Sequence, residues 1–252
     1  SMIRIFILIL LFTLNTIARE TGQTEITTEE GIEVFQKEKF YLLKKNVEIL
    51  SDSFNLNAEN VKAYFEKDLY DITEIYSTGN VKLVSSQGLE AKGEIINFNV
   101  KNENIYIEGL NSYLNTNSFI MNSNKLIEVN NANGVFKLVG STSSIKSETT
   151  VISGSNIDGS FTNIEGKNII EKIHATDEEE VNIKTEKLDM FALTADFDKE
   201  NNLIELFENV RIFKGDEQIT GDYAKINTLD ESYKITSKDS KKVKVILKNV
   251  NE

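Results

Sequence analysis

The sequence predicts an all-β protein made of stacked antiparallel strands, and three observations carry that prediction. Apolar residues recur at period two rather than at the helical period. Clusters of Asn, Asp and Gly separate the alternating runs. One strand–turn–strand layout returns three times along the chain.

The alternation is clearest at Val81-Lys82-Leu83, Ile105-Tyr106-Ile107, Val181-Asn182-Ile183, Val210-Arg211-Ile212 and Val243-Lys244-Val245. Successive side chains of a strand point to opposite faces, so each run presents one apolar and one polar face. Between the runs lie Lys101-Asn102-Glu103-Asn104, Asn130-Asn131-Ala132-Asn133-Gly134 and Lys199-Glu200-Asn201-Asn202. Asn, Asp and Gly accept turn geometries that other residues resist, so these read as hairpin loops. Residues 59–66 are long enough for a turn or two of helix, but the spacing of Val61, Ala63 and Phe65 fits a strand equally well.

The repeat is the most specific feature. One copy starts Asn46-Val47-Glu48-Ile49 and continues with Leu56-Asn57-Ala58, Ala63 and Phe65. The best-preserved copy starts Asn80-Val81-Lys82-Leu83, then has Leu89-Glu90-Ala91, Ile96 and Phe98, and ends Ile105-Tyr106-Ile107-Glu108-Gly109. A third starts Asn209-Val210-Arg211-Ile212, followed by Ile219-Thr220-Gly221, Ile226 and Tyr233-Lys234-Ile235. Each reads as a strand opened by Asn-Val, a strand with a small residue, and a closing strand. Such units cannot bury an apolar face alone, but a stack of them shares one interior. Residues 111–173 match the layout weakly and hold Ser141-Thr142-Ser143-Ser144 and Gly154-Ser155-Asn156. Strand character persists there at 135–139 and 151–152, and one continuous array is the preferred reading.

Composition narrows the function. The net charge of −12 offers no basic footprint for nucleic acid or for an anionic membrane surface. With no cysteine and one histidine, disulfides, thiol chemistry and Cys-type zinc sites are excluded. Met2, Ile3 and Arg4, an apolar run over 5–14 interrupted by Thr13, and Thr16-Ile17-Ala18 have the layout of a secretory signal peptide cleaved after Ala18. The rival is a retained anchor, although a membrane span needs about 20 apolar residues.

The motifs resemble those of the OstA-like lipopolysaccharide-transport proteins, in particular the soluble periplasmic bridge members. Gly79-Asn80-Val81, Ile219-Thr220-Gly221-Asp222-Tyr223-Ala224 and the opening Glu29-Glu30-Gly31-Ile32-Glu33 carry the resemblance, over parts 29–110 and 180–237. It implies a signal peptide over 1–18 and one open β-jellyroll over 19–252. The implied function is periplasmic binding of lipopolysaccharide, shielding its lipid A acyl chains and bridging the inner and outer membranes in outer-membrane biogenesis. Its implied partners are membrane transport components with similar β-jellyrolls and, head to tail, further copies of the chain. A groove lined by Val81, Leu83, Ala91, Phe98, Ile105, Ile107, Ile212 and Ile226 would take the acyl chains. Two alternatives stand beside this reading: a membrane-anchored partner of the same system, and a β-solenoid adhesin or polysaccharide lyase.

Neither catalytic nor metal-ligating residues are expected, and no cofactor. His174 with Asp177-Glu178-Glu179-Glu180 reads as an exposed loop with a solvated acidic run, because zinc sites need several N or S ligands. Adjacent carboxylates such as Asp216-Glu217 and Glu29-Glu30 point to opposite faces of a strand and make poor glycosidase pairs.

Overall fold

The computed structural model describes residues 19–67, 71–238 and 241–248. The expected signal peptide lies outside the described residues. Two short strands, β1 (Glu25–Thr27) and β2 (Ile32–Phe35), precede four long ones: β3 (Phe40–Leu50), β4 (Phe54–Phe65), β5 (Ile72–Ser85) and β6 (Glu90–Asn99). The middle is divided more finely, into β7 (Asn104–Glu108), β8 (Ser112–Asn115), β9 (Phe119–Ser123) and β10 (Leu126–Asn130), then β11 (Val135–Val139), β12 (Ser144–Ser147), β13 (Thr150–Ser153) and β14 (Asn156–Ile164). Long strands return as β15 (Lys167–Lys184), β16 (Asp189–Asp198), β17 (Leu203–Lys214) and β18 (Glu217–Asn227), and β19 (Tyr233–Thr236) and β20 (Lys244–Leu247) close the chain. Among the described residues all pairings are antiparallel, and the 20 strands form one hydrogen-bonded network.

That network is folded lengthwise into two facing layers. The long strands cross from one layer to the other along one line, marked in β3, β5 and β17 by a bulge, where two residues oppose one on a neighbour. Lys45-Asn46 oppose Glu59, Gly79-Asn80 oppose Glu94, and Glu208-Asn209 oppose Asp222. All six bulged residues have positive φ, which glycine adopts freely and asparagine tolerates better than most residues. The Asn-Val motif therefore marks the bend in the middle of a strand, where sequence reasoning expected its start. In β15 the bend is made by the acidic run: pairing with β16 breaks between Thr176 and Val181. His174 and this run thus belong to a strand and its corner, where a loop was expected.

In the middle the same corner is made by short connections. Gly109 (φ 129°) and Gly140 (φ 140°) turn β7 into β8 and β11 into β12, and Gly154-Ser155 turn β13 into β14. Buried Ser123 and Ser143 line this spine and are satisfied there, Ser123 Oγ donating to Val139 O at 2.7 Å and Ser143 Oγ to Gly140 O at 2.8 Å. The Ser- and Gly-rich stretches of 111–173 are thus corners of the array. Pairing passes through them without a gap, β6 to β7 and β8, then onward to β14, β13 and both halves of β15.

Candidate functional site

The interior between the layers is the candidate site, and it is defined by register. In the layer containing β1, cross-strand neighbours form a row starting at Ile26 and passing Ile49, Leu56, Leu83, Ala91, Leu114 and Met121. The row continues through Ile145, Ile152, Ile183, Met190, Ile212 and Ile219 to Val245. The facing layer holds a matching row from Ile32 through Leu43, Val61, Ser77, Ile96, Ile107 and Ile127. It runs on through Leu138, Ile157, Ala175, Ala195, Leu206 and Ala224 to Ile235. At about 4.8 Å per strand each row is roughly 60 Å long, and facing sheets pack about 10 Å apart. The two rows contain no ionisable group and one polar residue, Ser77.

The rows are buried through the middle; the first is uncovered at both ends and the second at Ile32, while its other end, Ile235, is half-buried against the core. Leu43, Ile107, Met121, Leu138, Ile183 and Leu206 are at most 2% exposed, whereas Ile26, Ile32 and Val245 are 41%, 53% and 53% exposed. Towards the free margins of the layers the closure is uneven. Across the second half, the margins are linked by Asn168 N donating to Ser118 Oγ at 3.1 Å, by Thr185 Oγ1 donating to Glu231, and by Lys187 Nζ 3.8 Å from the same carboxylate. Beneath them the rings of Phe119, Phe136 and Phe161 form a staple between the layers, with centroids 5.8–6.5 Å apart. The margin facing β4 to β6 has no such link among the described residues. There Phe54, Leu83 and Leu89 of one layer and Ile75 and Phe98 of the other remain only partly covered.

The eight residues expected to line a groove all lie on inward faces. Leu83, Ala91 and Ile212 sit in the first row and Ile107 in the second; Val81 is beside the spine. Phe98, Ile105 and Ile226 belong to the next row outward, which also contains Ile75 and Tyr233. Lys82 is exposed on the opposite face.

Charge is kept to outward faces, corners and margins. His174 Nδ1 lies 2.5 Å from Asp196 Oδ1 on the outer face. At the β15 corner, burial disfavours ionisation of Asp177, but hydrogen bonds from Ser155 Oγ and from the backbone N–H groups of Glu179 and Glu180 outweigh it. They hold the carboxyl below its ordinary range. The acidic run is thus organised by its own backbone. No cluster of three or more His, Asp or Glu suited to a metal ion occurs among the described residues.

No family model and no curated protein matches the chain. Among solved structures it is similar to LptH, the LptA-homologous periplasmic component of the lipopolysaccharide transport device of Pseudomonas aeruginosa. The TM-score is 0.44 and the identity 9%, over 52% of this chain and 95% of that one. A likeness at this level carries no functional weight.

Proposed function

We propose that this chain is a periplasmic, non-catalytic carrier that binds lipopolysaccharide by its acyl chains and passes it along an array of like β-sandwiches between the two membranes. One observation carries the reading: two facing rows, apolar but for one serine, run the length of the molecule, the first uncovered at both ends and the second at Ile32. A carrier of lipid needs a dry trough without reactive groups, because each CH₂ removed from water is worth about 0.8 kcal/mol. The order of the OstA-like motifs supports the same reading. So does the charge of −12, which repels phosphorylated head groups and leaves the acyl chains as the part to be held.

Terminal strands β1 and β2 at one end, and β19 and β20 at the other, offer unpaired backbone groups beside exposed apolar side chains. Pairing of unlike ends would join both layers and both rows of successive molecules.

The test is retention of lipopolysaccharide by purified, immobilised protein against a phospholipid control. Lipopolysaccharide is expected to be retained and to survive high salt, which screens charge but not apolar contact. Equal retention of both lipids, or release by salt alone, would contradict the proposal.

A further inference from the structure

Ser77 is the single polar residue in the two central rows, and its hydroxyl has no partner. The residue is 1% exposed, flanked across the strands by Val61 and Ile96, and its Oγ makes no hydrogen bond to any atom of the described residues. Buried hydroxyls are nearly always bonded, because leaving one unmatched costs about 1–3 kcal/mol. An alanine or valine would remove that cost, as at every neighbouring position of the row. Ser77 also lies beneath the stretch of margin that has no links. Along β5 it is two residues, about 7 Å, inside Ile75, which pairs with Phe98 in the partly covered row.

We infer that this half of the interior is a site for a hydroxylated acyl chain, with Ser77 recognising the chain's hydroxyl. The inference rests on the reading that the interior takes acyl chains. The apolar walls formed by Leu83, Leu89, Ile75 and Phe98 select a hydrocarbon. The unmatched Oγ, which can both donate and accept, is satisfied fully by another hydroxyl and only half by an ester oxygen. Its depth places that hydroxyl near the head-group end of the chain, the methyl end running on along the buried rows. The linked and stapled margin of the second half would hold the inserted chain in place.

Displacement of a fluorescent fatty acid, dansyl-undecanoate, from the full-length mature chain tests this. The competitors are tetradecanoate and the same acid with a hydroxyl on its third carbon. The hydroxylated acid is expected to compete roughly three- to tenfold better, the range of one net hydrogen bond. Ser77→Ala should abolish that preference and melt at the same or a higher temperature because the unmatched hydroxyl is gone. Equal competition in the wild type, or a preference that survives in Ser77→Ala, would overturn the role of Ser77 while leaving the carrier reading intact. Failure of the probe and of both acids to bind would overturn both.

Discussion

Gly159→Val is expected to destabilise the protein by about 3 kcal/mol or more, measured as a shift in the urea midpoint at unchanged slope. A Cβ at this position would lie 2.2 Å from Cζ of Phe136 and 2.5 Å from the carbonyl oxygen of Lys172. The ring belongs to the aromatic staple, and the oxygen belongs to the backbone of β15, paired along β14. Neither can retreat without opening the interior. Phe136→Ala alone should cost a similar amount, about 3–5 kcal/mol, through the cavity it leaves. The double variant should cost less than the sum of the two, because the valine enters space the ring has vacated. Additive costs would show that Gly159 and Phe136 do not constrain each other, and the staple would lose its place in closing the second half.

The second large effect concerns assembly. Val245→Asp and Ile32→Asp each place a carboxylate at the uncovered end of a row, where the isolated molecule keeps it solvated. Each variant should therefore fold normally by circular dichroism. In an end-to-end assembly the same carboxylate would be buried without a partner, a cost of at least about 3 kcal/mol, or a hundredfold or more in dissociation constant. Each variant alone should lose the concentration-dependent chains expected of the wild type in sedimentation. A mixture should form dimers and stop there, because a heterologous contact needs one intact end from each partner. Chains formed by either variant alone, or the absence of dimers in the mixture, would count against contact between these ends.

Much of the fold is legible in the sequence because period-two alternation and Asn-rich turns survive in one dimension. Strand Ile32–Phe35, the hairpin turns at 101–103 and 199–202 and the inward faces of Leu83, Ile107 and Ile212 can be read directly. The bend is harder. Alternation breaks at Gly79-Asn80 in the same way whether a new strand begins or one strand turns a corner, and only pairing on both sides shows that β5 runs from Ile72 to Ser85. The middle was obscured for a related reason: its corners use Gly and Ser instead of Asn-Val, so a motif search meets linker-like composition where the backbone makes the same turn.

The candidate site is less legible than the fold. Ser77 sits between Tyr76 and Thr78, and nothing local distinguishes it from an outward polar residue; its place between Val61 and Ile96 comes from register with two other strands. The margin links join residues 118 with 168 and 185 with 231, separations at which the sequence carries no pairing signal. Strand β1 carries no signal in the sequence, because Glu25-Ile26-Thr27 is too short to show a period.

The central claim, that the interior holds acyl chains, is tested most directly by site-specific photo-crosslinking in cells. A photoreactive residue replaces either Phe98, inward at the unlinked margin, or Lys82, outward and exposed. Crosslinks to lipopolysaccharide from position 98 and not from 82 are the expected result. Equal labelling at both, or labelling from 82 alone, would contradict it.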